Sequence, residues 1–179
     1  NYYLAGQGVS TYDLMDTITA DMVKVNLLAI GAVFLILLLM KRQLLLPVIL
    51  VLSIETAIWI NLAIPYFRGR HVFYIAYLII STIQLGATVD YAILITSRYE
   101  KERGEGKSKK DAIQIAHKTS IRPVMVSAFS FFAATFGVGM YSQIDMISSL
   151  CLLMARGALI SMASVIFILP SMLMVFDAL

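Results

Sequence analysis

Apolar positions in this chain fall in long runs, with no strand-like alternation, and most of the polar residues gather in short clusters between the runs. A helix of about 20 apolar residues matches the hydrocarbon thickness of a bilayer. Five such runs predict transmembrane helices at roughly 23–40, 44–64, 72–96, 123–141 and 147–176. Ahead of the first, Leu14, Ile18 and Met22 repeat at helical spacing while Asp13, Asp16 and Asp21 punctuate the other positions, which predicts a short amphipathic lead-in helix with a solvated acidic face. Lys41, Arg42 and Gln43 leave room only for a tight hairpin. The 97–122 link is long enough to hold its own helix. Gly104 and Gly106 break the chain there, and Ser108 with Asp111 three residues on resembles a capping box. Its apolar stripe, Ala112, Ile113 and Ala116, predicts an interfacial helix lying along the cytoplasmic membrane surface.

Composition sharpens this into a fold class. Hydrophobic residues are 60% and charged residues 14% of the chain, with mean hydropathy +0.85, which excludes an ordinary soluble domain. The expectation is an all-α polytopic transmembrane bundle of five spans plus that cytoplasmic helix, in the cell membrane. The net charge of +3 does not point to nucleic acid, because Lys and Arg cluster just beyond the apolar runs, where orientation signals belong. Lys41, Arg42 and the basic residues of 97–122 put those links in the cytoplasm and the N-terminus outside. Cys151, the single cysteine, lies in an apolar run and reads as a packing residue. Gly104 to Ser108 ends like a phosphate-binding loop, but Lys101 stands where that motif wants its first glycine, so no nucleotide is expected. No cofactor or metal is expected either. The chain starts at Asn1 without a methionine or signal peptide and is expected to be an excerpt of something longer.

The candidate chemistry centres on Asp90, an acid inside the third run. A carboxylate there costs several kcal/mol unless paired, hydrated or protonated, which makes it a functional candidate. At 100° per residue Thr82, Gly86, Asp90 and Ser97 share one side of the helix, and Ser81, Gln84, Thr88 and Tyr91 another. Two polar faces predict a helix at the centre of a bundle, with Asp90 buried and able to load and release a proton. Tyr91 is expected to donate to a carboxylate on a neighbouring helix, with Gly86 leaving room beside Asp90 and Thr88 and Glu55 supporting it. Counted from Arg42 and Arg98, Glu55 and Asp90 differ in depth by roughly 8 Å, so only a water-linked relay joins them. Ser127, Ser130, Ala134 and Gly137 form a small-residue packing seam on the fourth span. Arg156 is expected near the outer surface as an anchor or gate. An intramembrane aspartyl protease would need a second well-placed aspartate, and the sequence offers none.

Gly86 through Asp90-Tyr91 to Ser97-Arg98-Tyr99-Glu100, the basic loop with its capped helix, Arg156-Gly157-Ala158 and Leu169-Pro170 before Phe176-Asp177 together resemble the MMPL branch of the RND transporter superfamily. The motifs cover roughly residues 80–177, and the five-span pattern extends the likeness over the chain. The resemblance implies a proton-driven exporter of lipids or hydrophobic compounds built from two similar halves. Residues 1–22 would end an extracellular porter domain and 23–179 would supply helices two to six of one half, with wording closer to the second half. It further implies that Asp90 and Tyr91 form a relay with an Asp-Tyr pair on the other half, which this chain lacks. A sterol-sensing-like module that binds lipid without transporting it is the alternative.

Overall fold

The computed structural model describes residues 7–41, 44–69 and 74–176. Its elements are helices α1 (Gln7–Lys41), α2 (Leu45–Phe67), α3 (Tyr74–Gly104), α4 (Lys109–Tyr141) and α5 (Asp145–Ala163), then a π-helical segment (Ser164–Ile168) and α6 (Leu169–Val175). No strand occurs among the described residues. Among the described residues five stretches are long and apolar enough to cross a membrane, the fifth running through α5, the π segment and α6.

α3 is the hub, packing against α1, α2, α4 and α5. Its buried stripe, Leu85, Ala92, Ile95 and Tyr99, joins Leu50 and Ile54 of α2, Val124 and Ala128 of α4, and Val165 and Leu169 from the end of the chain in one core. α1 touches this core mainly through Leu37 and leaves Leu27, Leu28 and Leu39 exposed, the pattern of a helix facing lipid. The lead-in helix expected ahead of the first span is continuous with it, one helix of 35 residues. Arg42 and Gln43 of the expected tight hairpin lie outside the described residues.

The 97–122 link differs most from expectation. There is no separate interfacial helix: α4 runs unbroken for 33 residues, about 50 Å, and only residues 105–108 turn between it and α3. Ala112, Ile113 and Ala116 do form an apolar stripe, but it is buried in the core beside Tyr99 and Leu46, so protein and not lipid covers it. Pro123 sits inside α4 without ending it. The turn itself follows local chemistry. Gly106 adopts φ +83°, a conformation L side chains rarely take. Lys107 reaches back to Glu102 and, at 3.0 Å, to Glu105, which holds the Glu105 carboxyl below its usual range and the Lys107 ammonium above its own. Both shifts favour the ionised pair at neutral pH, and the brace is lost as pH falls through the lowered Glu105 value.

Ser108 caps α4 as its sequence predicts, accepting from the Asp111 backbone N–H at 3.2 Å while its hydroxyl donates to the Asp111 carboxylate at 2.6 Å. Ser108→Ala is expected to cost about 1 kcal/mol locally. Amide hydrogen exchange at Lys110 and Asp111 should then speed up about fivefold, with no change at α2; equal rates would show that the cap does not hold this helix end.

The π segment ends two residues before Pro170. A proline has no N–H for the carbonyl four residues back, and its ring crowds that carbonyl, here Ile166 inside the segment. Widening the turn relieves the crowding without breaking the span.

Candidate functional site

The two polar faces of α3 have opposite fates. Ser81, Gln84, Thr88 and Tyr91 are buried, whereas Thr82, Gly86, Asp90 and Ser97 are exposed. On the buried side, a hydrogen-bonded network spans three helices. Asn61 of α2 donates to Gln84 at 2.8 Å and to the Leu153 carbonyl at 3.2 Å. Gln84 donates to Ser161 of α5 at 3.0 Å, and Thr88 lies 2.8 Å from the same hydroxyl. Arg156 of α5 donates to the Asn61 side-chain oxygen at 2.9 Å and to the Asn61 carbonyl at 2.8 Å. Satisfied polar groups in an apolar interior hold helices in one register, because a slipped register would leave each of them unpaired.

Gly157 makes the network possible. A Cβ there would sit 2.7 Å from the Asn61 amide nitrogen and 2.7 Å from the Gln84 amide oxygen. Asn61 gave no sign in the sequence reading, lying near the end of an apolar run; the only available hint was a buried-type amide followed four residues later by Pro65.

Asp90 was expected to be buried, and within this chain it is not. It points about 160° away from Thr88, out of the bundle, and makes no hydrogen bond or ion pair with any described residue. It lies about 21 Å along the helix from Ala76, deep in the candidate span. Gly86 beside it has nothing within 4 Å of a built Cβ, so the space expected for a neighbour is open on this chain. The physical reason is simple: the neighbours of α3 here all pack on its other sides.

Other expected site residues also move. Tyr91 turns inward, its hydroxyl 3.3 Å from Ser127 of α4, and so faces its own bundle. Thr88 belongs to the network, away from Asp90. Glu55 is nearer in depth than charge counting predicts, because Asn61 and Gln84 set the register. Glu55 is six residues before Asn61 and Asp90 six after Gln84, on antiparallel helices, which puts them level. They still face apart, and Glu55 instead accepts from the Trp59 indole at 3.2 Å.

Of the expected packing seam on α4, Ser127 meets Tyr91 of α3 within this chain. Ser130 and Ala134 are exposed, Ser130 bonding only its own helix at Val126, and Gly137 has open space beside it. Close approach to α5 is made instead at Gly139, where a Cβ would lie 2.9 Å from Leu152, with Ser148 donating to the Gly139 carbonyl at 2.7 Å. Spacing alone does not tell which side of a small-residue stripe a neighbour takes.

Gln84, Tyr91 and Ser161 also border a cavity of about 10 Å³ between α3, α4 and α5, space for one water and none for a hydrophobic cargo. Among the described residues no cluster of His, Cys, Asp or Glu could hold a metal.

The sequence model of the MMPL family matches residues 1–178. A membrane protein of Streptomyces coelicolor, SCO0839, is 30% identical over 178 residues, covering 95% of this chain and 24% of that protein. A second from the same organism, ActII-3, is 26% identical over 99 residues, covering 55% of this chain and 14% of that protein. The chain thus spans about a quarter of the first relative's length.

Proposed function

The chain belongs to the MMPL family, and on that premise we propose that it is membrane-domain machinery of a proton-driven exporter of lipids or hydrophobic compounds, with Asp90 taking up and releasing the coupling proton. In this reading residues 1–22 end a porter domain, the N-terminus is outside, and 23–179 are five helices of one half of the transporter. The other half supplies the helix that covers Asp90.

The observation that carries the proposal is an unpaired carboxylate in mid-span on the one open side of a hub helix, beside a glycine that leaves the approach clear. Facing hydrocarbon, it would cost several kcal/mol. Facing a second polar helix across a thin layer of water, it can alternate between charged and neutral as access changes. Tyr91 then serves indirectly, its bond to Ser127 setting the rotation of α3 that aims Asp90 outward.

The deciding measurement is export by the full-length protein in proteoliposomes. Flux should follow an imposed pH gradient and stop when an ionophore dissipates it. Flux indifferent to the gradient, with saturable lipid binding, would favour the sterol-sensing-like alternative. Gly86→Leu tests the cover: with open space around Gly86 in this chain, the variant should fold normally yet lose most transport, because leucine occupies the approach to Asp90. Wild-type flux in that variant would mean that nothing packs there.

A further inference from the structure

Arg156 carries a charge that no described residue neutralises. Its two hydrogen bonds go to the neutral oxygens of Asn61, which leaves the remaining donors of its guanidinium unassigned. No carboxylate among the described residues forms an ion pair with it. Arg68, just past the end of α2, lies seven residues after Asn61 and so on the same side of the helix two turns on, where its like charge acts on Arg156. Two cations without an acid between them repel each other, and one of them is half-buried in a span where an unpaired charge costs several kcal/mol. An anion that lies between them relieves both costs.

The surroundings say what kind of anion. Tyr66 and Phe67, more than 80% exposed, stand next to Arg68 at the end of α2, as aromatic residues do at the boundary between lipid tails and headgroups. Asn61 is about two turns inside that boundary, so Arg156, bonded to it, reaches up from the tail region towards Arg68. On α5, Arg156 shares an apolar stripe with exposed Leu152 on one side and half-buried Ile160 and Ala163 and exposed Phe167 on the other. A cation at the boundary with a second about two turns deeper, beside an apolar stripe, matches an acidic amphiphile: phosphate or carboxylate between the arginines, tail down α5.

We propose that Arg68 and Arg156 form a binding site for the acidic headgroup of a lipid in the leaflet opposite the α3–α4 turn. The network fixes Arg156 in place, so the site is prepared before the lipid arrives, and Arg68 supplies the second contact from the rim. The site stands whether or not Asp90 carries protons, since no step of it involves Asp90.

The test is native mass spectrometry of the full-length protein in neutral detergent, titrated with phosphatidylglycerol and, separately, with phosphatidylcholine of the same chains. Wild-type protein should retain phosphatidylglycerol preferentially. Arg156→Gln and Arg68→Gln should each weaken that retention by about tenfold while leaving phosphatidylcholine unchanged. Lys118→Gln, a charge removed from the opposite side, should change nothing. If Arg156→Gln fails to fold, the exposed Arg68→Gln decides: lost preference supports the site, and unchanged preference overturns it. Equal retention of the two lipids by wild-type protein also overturns it. Inorganic phosphate added in excess should not displace the lipid; displacement at matching concentration would make this a site for free anions and refute the lipid assignment.

Discussion

Asp90→Asn in the full-length protein should reduce pH-gradient-driven export to the level of protein-free liposomes while its abundance in the membrane stays at or above wild type. Asparagine keeps the size of aspartate and, like its protonated form, both donates and accepts, but it cannot titrate, so a step that needs a proton bound and released is lost outright. The abundance half of the prediction comes from the structure. Asp90 bonds no described residue, so the fold of this chain has nothing to lose when it goes. Removing a charge from a membrane span makes insertion easier by a few kcal/mol. Asp90→Glu retains the proton chemistry with one extra methylene and should keep a fraction of the flux. Full export by Asp90→Asn would end the relay reading; a collapse in abundance would show instead that Asp90 is a structural clamp to another part of the protein.

The second large effect concerns stability. Gly157→Ala should destabilise the protein by about 3 kcal/mol, because the added methyl enters the space held by the Asn61 and Gln84 amides and forces buried groups apart. Two penalties combine here, overpacking and unsatisfied polar atoms, and each is worth roughly 1–3 kcal/mol. Thermal inactivation of the detergent-purified protein should fall by on the order of 10 °C. Gly137→Ala is the matched control, since a methyl at Gly137 meets nothing within 4 Å, and it should behave as wild type. Equal behaviour of the two variants would mean that the network gives way at little cost.

How much of this was legible beforehand depends on how local each signal was. The cap at Ser108 was readable because it is a matter of four consecutive residues. The five spans were readable because run length is measured along the chain. The continuity of α4 was not: a loop signal at Gly104 and Gly106 marks where a helix starts, but whether the helix from Lys109 then bends into the interface or runs straight depends on what covers Ala112, Ile113 and Ala116. The answer, a core built with Tyr99 and Leu46, comes from residues distant in sequence. Asn61 was missed for the same reason, since its value lies wholly in partners 23 and 95 positions away.

The sequence by itself determined the membrane class, the number of candidate spans and the presence of an acid in mid-span, because hydrophobic transfer and charge burial are set residue by residue. It also separated the two polar faces of α3, since helical periodicity is a local property. Only the tertiary structure decided which face is covered and which is left open. That choice follows from where Asn61 and Ser161 meet the helix, and a network of short, directional hydrogen bonds exists at one relative rotation of the helices and at no other.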